Sequence, residues 1–189
     1  KWRQPPNPQY WDAYVTEVAK HYADCKNLLI EVWNEPDWEF WDGTEEEYFD
    51  LLDRTVRIFN KYAPNLFIYP GGLVSSWDTQ NIMSKDTPRY FQKFQQLKNE
   101  GLIDTWAYHT HGPFNEEYYF KSIRYMQELL NSYAKGLSFK GAFNTESGVW
   151  GTNDDTQAAE LIAKMLYTRD HGGKAYVAYS FRQFNGTPD

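Results

Sequence analysis

The sequence predicts an α/β chain with parallel strands, because helix-period and strand-like segments alternate strictly along it and each helix is long enough for a crossover. No internal repeat or low-complexity linker divides it, so residues 1–189 read as one domain. The first helix is expected over 11–24, where Trp11, Tyr14, Val15, Val18 and Tyr22 recur at helical spacing. Residues 28–33 (LLIEVW) form a short apolar, partly β-branched run that suits a buried strand. Thr44, with Glu47 three residues on, has the pattern of a capping box, and the helix it starts stops at Tyr62, before Pro64. A strand over 66–69 ends in Pro70-Gly71-Gly72, a tight turn with no Lys or further glycines to hold a phosphate. Helices over 88–99, 116–134 and 155–170 then alternate with strands over 103–109, 138–145 and 174–181.

Five such units fit either an open doubly wound sheet or part of a closed barrel. A (β/α)8 barrel needs eight units and about 250 residues. Five units in 189 residues therefore read as its last five-eighths, strands four to eight with their helices. On that reading three strands precede Lys1, and a leader peptide and the localisation, secreted or periplasmic included, lie out of view. The 189 residues alone are expected to aggregate or stay molten, since an unclosed barrel leaves two edge strands unpaired.

Composition narrows the function. A net charge of −7, with no basic run, argues against nucleic acid. No stretch of 18 or more apolar residues marks a membrane span. The one cysteine, Cys25, forms no internal disulfide or metal framework. Aromatic residues reach 19 %, and such rings suit the CH-rich faces of sugars as well as they suit a core.

Two segments carry chemistry. Trp33-Asn34-Glu35-Pro36-Asp37 puts a carboxylate at the carboxyl end of a strand, where barrel enzymes keep their catalytic groups. By strand alternation Glu31, Trp33 and Glu35 share a face. Phe143-Asn144-Thr145-Glu146-Ser147-Gly148 closes a second strand with a Glu, and Ala142, Asn144 and Glu146 share a face in the same way. Two such carboxylates can converge on one glycosidic bond, one protonating the leaving oxygen and the other attacking or stabilising the anomeric carbon. Asn34 is placed to hydrogen-bond a sugar hydroxyl. Either Glu by itself reads equally well as a solvated loop carboxylate.

At these residues the sequence resembles a known family. IEVWNEPD is similar to the strand-four signature of clan A glycoside hydrolases, whose acid/base is the Glu after Asn, and FNTESG resembles their strand-seven signature, whose Glu is the nucleophile. The stretch EVWNEPDWEFWDGTEEEYFDLLDRTV resembles in particular the xylosidase-like family 39. The resemblance covers nearly the whole chain. It implies a TIM barrel, a retaining double displacement on β-linked oligo- or polysaccharides without a cofactor, Glu35 as acid/base and Glu146 as nucleophile. It also implies that strand six, Trp106-Ala107-Tyr108-His109-Thr110-His111, surrounds the sugar, with Tyr108, His109 and His111 as contacts. Where the clan carries a Trp at the end of strand eight, this chain reads Ala178-Tyr179-Ser180-Phe181, so Phe181 is the expected, smaller platform.

Trp38, Trp41, Trp77 and Trp150 follow strands in loops and are candidate sugar platforms or core rings. His109-x-His111 has the spacing of two metal ligands on one strand face, but no third ligand of clear spacing, so no metal is expected. Glu45, Glu46 and Glu47 suit the positive end of a helix dipole rather than catalysis. An endo-acting polysaccharide hydrolase of the same clan and a non-catalytic carbohydrate-binding relative remain alternatives, and the oligomeric state is open.

Overall fold

The computed structural model describes residues 3–74, 86–149 and 153–179. The first helix begins at Pro8 rather than residue 11. Asn7 caps it by accepting from the Gln9 amide at 3.0 Å, and Pro8 occupies the first turn, where a missing N–H is harmless. The elements then run α1 Pro8–Tyr22, β1 Leu29–Glu31, α2 Glu45–Tyr62, β2 Phe67–Tyr69, α3 Thr87–Asn99 and β3 Ala107–His109. A π-helical turn Glu116–Phe120 leads into α4 Lys121–Tyr133, followed by β4 Phe143–Ser147, α5 Asp154–Asp170 and β5 Ala175–Ala178. The capping box on α2 is formed: the Thr44 amide donates to Glu47 at 2.8 Å, and the Glu47 amide donates to the Thr44 hydroxyl at 3.2 Å.

All strand pairings are parallel, β1 with β2 and β4 with both β3 and β5. Between the two ladders the Leu73 amide donates to Ala107 O at 3.2 Å and the His109 amide to Leu73 O at 2.8 Å. The five strands therefore follow one another in chain order, without the reversal that marks a doubly wound sheet. The helices share one side. Ile68, Trp106 and Tyr108 belong to the main core with rings of α2 and α3, and Phe91 lies 5.2 Å from Trp106. On the other face Phe67 stacks on Phe143 at 5.5 Å, and Tyr69 meets the same ring edge-on. The two outer strands are less covered: Leu29 of β1 and Val177 of β5 are each 50 % exposed. Among the described residues no helix is long and apolar enough to cross a membrane.

Candidate active site

The site is assembled from the carboxyl ends of β1, β3 and β4. Strict alternation does not deliver Glu35 there. β1 ends at Glu31, and Trp33 turns to the helix side, donating its indole N–H to Phe40 O at 3.1 Å and packing against Trp41. Glu35 then enters by a left-handed backbone, φ 43°, directly before Pro36. Such a conformation costs about 1–3 kcal/mol and has to be held by its surroundings. The Trp38 amide donates to Glu35 O, the Tyr90 hydroxyl to Pro36 O, and the Val74 amide to the Asp37 carboxylate at 3.1 Å.

β4 needs a different device. Asn144 faces away from the site, donating to the Thr110 hydroxyl at 2.8 Å, so Ala142, Asn144 and Glu146 do not share a working face. The ladder register shifts between Asn144 and Ser147, and an irregularity of this kind re-aims side chains. Both Thr145 and Glu146 thereby reach the site side: the Thr145 hydroxyl meets Glu31 at 3.3 Å, and Glu146 meets the His111 Nε2 at 3.3 Å.

His109 joins the two carboxylates. Its Nδ1 lies 2.7 Å from Glu35 Oε1 and 3.9 Å from Glu146 Oε2, in a side chain only 2 % exposed. Gly72 lets the ring approach, since a Cβ there would stand 2.2 Å from His109 Nε2. Burial works to lower the basicity of the His109 ring, but the Glu35 hydrogen bond and the charges of Glu35, Glu146 and Glu31 raise it above its ordinary value. Burial pushes the Glu146 carboxyl up, yet the His111 hydrogen bond and the two imidazole charges hold it below the usual range.

One donor atom from each of Glu35, His109, His111 and Glu146 lies within 4.8 Å of the others. Two ligands of a tetrahedral zinc-like ion stand about 3.3 Å apart, given metal–ligand bonds of about 2.0–2.1 Å. At 2.7 Å the Glu35–His109 pair is a hydrogen bond rather than two ligands of one ion.

Asn34, Trp38, Phe40, Val74 and Tyr179 join Glu35, His111 and Glu146 around an open cleft of about 470 Å³. A hollow of about 500 Å³ between the N-terminal prolines and α2 lies away from this chemistry; its Glu47 is spent on the helix cap. Behind the site Lys164 of α5 is fully buried, donating to Thr110 O at 3.2 Å and Gly148 O at 3.0 Å, and burial pushes its ammonium down to about 8.

No family model matches the chain. A β-xylosidase of Caldicellulosiruptor saccharolyticus is 29 % identical over 82 residues, 39 % of this chain and 17 % of that protein. In structure the chain is similar to a GH39 β-xylosidase from Caulobacter crescentus, with a TM-score of 0.68 at 19 % identity, over 95 % of this chain and 40 % of that one. It is also similar to a GH128 endo-β-1,3-glucanase from Sorangium cellulosum, with a TM-score of 0.66 at 15 % identity, over 92 % and 66 %. The chain resembles the clan A glycoside hydrolases, xylosidase-like. It spans less than half the length of the two xylosidases.

The cleft brings together Asn34, Glu35, Trp38, His111 and Glu146, with His109 bonded to Glu35 just behind. Two expected contacts are corrected. Trp41 is 2 % exposed, its indole donating to Thr44 O at 2.8 Å between Trp33 and Tyr48; the start of α2 draws the ring into the core. Tyr108 is fully buried against Trp106 and Phe139, because alternation puts it on the face opposite His109. Trp77, Trp150 and Phe181 lie outside the described residues. Tyr179 lines the cleft two positions before Phe181, its amide bonded to Ser147 O. Phe40, Val74 and Lys164 had no signal in a single sequence. Glu31 had one, its shared face with Glu35.

Proposed function

We propose that these five units are strands four to eight of a (β/α)8 barrel, and that the chain carries the catalytic pair of a retaining O-glycoside hydrolase acting on β-linked sugars. The observation that carries the reading is the approach of Glu35 and Glu146, oxygens of which lie within 4.8 Å of each other around His109. Retaining enzymes hold their carboxyl groups about 5–5.5 Å apart, inverting enzymes about 6.5–9.5 Å, to admit a water between them. Glu146, kept ionised by its imidazole neighbours, attacks the anomeric carbon while Glu35 protonates the departing oxygen. In the second half Glu35 takes a proton from water, which displaces Glu146 from the sugar. Asn34 is placed to bond a sugar hydroxyl, and Trp38 and Tyr179 to stack on the ring.

The xylosidase likeness favours exo-acting cleavage of small β-glycosides, whereas the endo-glucanase likeness favours an endo-acting polysaccharide hydrolase. Hydrolysis of aryl β-glycosides compared with xylan and β-glucans separates the two. The mechanism is tested with Glu146→Gly and azide in the protein that carries this chain. Recovery of turnover as an α-glycosyl azide supports the reading. Oligosaccharide binding by calorimetry without product from the wild type would replace it with a carbohydrate-binding role.

A further inference from the structure

Glu31 is a carboxylate the double displacement does not use. It stands at the end of β1 with an exposed surface, yet its carboxyl group is engaged across the site. Its Oε1 accepts from the Gly72 amide at 2.7 Å and from the Thr145 hydroxyl at 3.3 Å. Thr145 Oγ1 also lies 3.2 Å from His109 Nε2, and His109 Nδ1 lies 2.7 Å from Glu35 Oε1. One hydrogen-bonded chain thus joins Glu31 to Glu35 through Thr145 and His109.

The direction of this chain follows from what each group can do. An ionised carboxylate only accepts, so Thr145 must donate its one proton to Glu31. The Thr145 oxygen is then an acceptor toward the ring, and His109 must carry its proton on Nε2. That leaves Nδ1 to share a proton with Glu35: a neutral ring accepts it from the carboxylic acid, and a charged ring donates it to the carboxylate. We propose that Glu31 is a positioning residue for Glu35, fixing the His109 tautomer through Thr145 so that Nδ1 is the ring nitrogen that exchanges a proton with Glu35. The assignment of Glu35 as acid/base rests on the function proposed above; the tautomer does not.

The charged and titratable groups around His109 are Glu35, Glu146, Glu31 and, 6.2 Å between ring centroids, His111. Glu31 is itself faced by Tyr69 of β2 and Tyr48 of α2. Desolvation of the Glu31 carboxyl raises it, partly offset by the Gly72 N–H, so the carboxylate end of the chain is reached only above its ordinary titration range.

The test is 15N NMR of histidine-labelled protein carrying the full chain, with His109→Asn to assign the ring. The wild type is expected to hold the proton on His109 Nε2 near neutral pH. Thr145→Val, close to isosteric, removes the acceptor and is expected to reduce the Nε2–H population, while Thr145→Ser keeps it. Glu31→Gln removes the charge but not the acceptor, and is expected to lower the His109 titration midpoint by about one unit. With an aryl β-xyloside as probe, the alkaline limb of kcat/KM should move to lower pH in Glu31→Gln by a similar amount, which a merely structural loss would not produce. Ring nitrogen shifts in Thr145→Val and Glu31→Gln that match wild type overturn the proposal, whatever the turnover. Absent turnover in a wild type whose ring carries the Nε2 proton overturns the glycosidase reading and leaves the chain of hydrogen bonds standing.

Discussion

Glu35 and Glu146 are the same residue type at the ends of two parallel strands, and the protein holds them in opposite ways. Glu35 is 3 % exposed on a left-handed backbone, in a loop pinned by Tyr90, Asp37 and the Trp33–Trp41 pair, with His109 hydrogen-bonded to its carboxyl. Glu146 lies on the ladder itself, turned inward by a register shift, with a side chain 23 % exposed to the cleft and imidazoles that keep it ionised. The two placements come from backbone devices, a strained loop on one side and a ladder irregularity on the other, because both side chains are alike.

The comparison is broken or sharpened by four tests. Glu146→Ala should cost the most, at least about 10⁴-fold in kcat, because the covalent step has no substitute group. Retained turnover would remove the nucleophile from the Glu146 side. Glu35→Gln should cost about 10²–10⁴-fold, and less on aryl glycosides, whose leaving groups need little protonation. An equal loss on alkyl and aryl substrates would mean that Glu35 is not the acid.

The loop that holds Glu35 contains the third test, since it carries two tryptophans with different duties. Trp41→Ala should destabilise the protein by about 3–5 kcal/mol, as a buried ring lost from the core. Trp38→Ala should change stability by no more than about 0.5 kcal/mol and raise KM instead. Denaturant melts beside steady-state kinetics on both variants check the pair, and a KM effect for Trp41 without lost stability would restore it as a sugar platform.

Lys164 is the smallest test and belongs to the Glu146 side. Its buried ammonium titrates near 8 against 10.5 in the unfolded chain. The unfolded chain therefore binds more protons between those values, and stability should rise with pH across that window. Both of its acceptors keep another donor, Ser147 Oγ for Thr110 O and the Gly112 amide for Gly148 O. Lys164→Met should then raise stability at pH 7 by about 1–3 kcal/mol, with the gain fading between about pH 8 and 10.5. A loss at pH 7 would mean that the two carbonyls depend on Lys164 for more than a redundant bond. The 189 residues expressed alone should show a broad or aggregating melt, given the half-exposed Leu29 and Val177 on the outer strands; a sharp two-state melt would count against an unclosed barrel.

By itself the sequence determined which elements form and which residues could react. Apolar spacing and caps are local signals, so α2 from its capping box to Pro64 and the alternation of strands with helices were legible, and the two Glu-bearing motifs marked Glu35 and Glu146 as candidates. Only the tertiary structure decided how those residues face one another. Period-two alternation placed Trp33 beside Glu35 and Asn144 beside Glu146, and both pairings fail where β1 ends early and β4 slips register. It separated Trp38 from Trp41, which are alike in sequence, by folding one ring under α2. It also joined Glu31 to Thr145 across 114 positions of chain. A hydrogen bond between distant segments depends on where several strands close together, and no local pattern of residues carries that information.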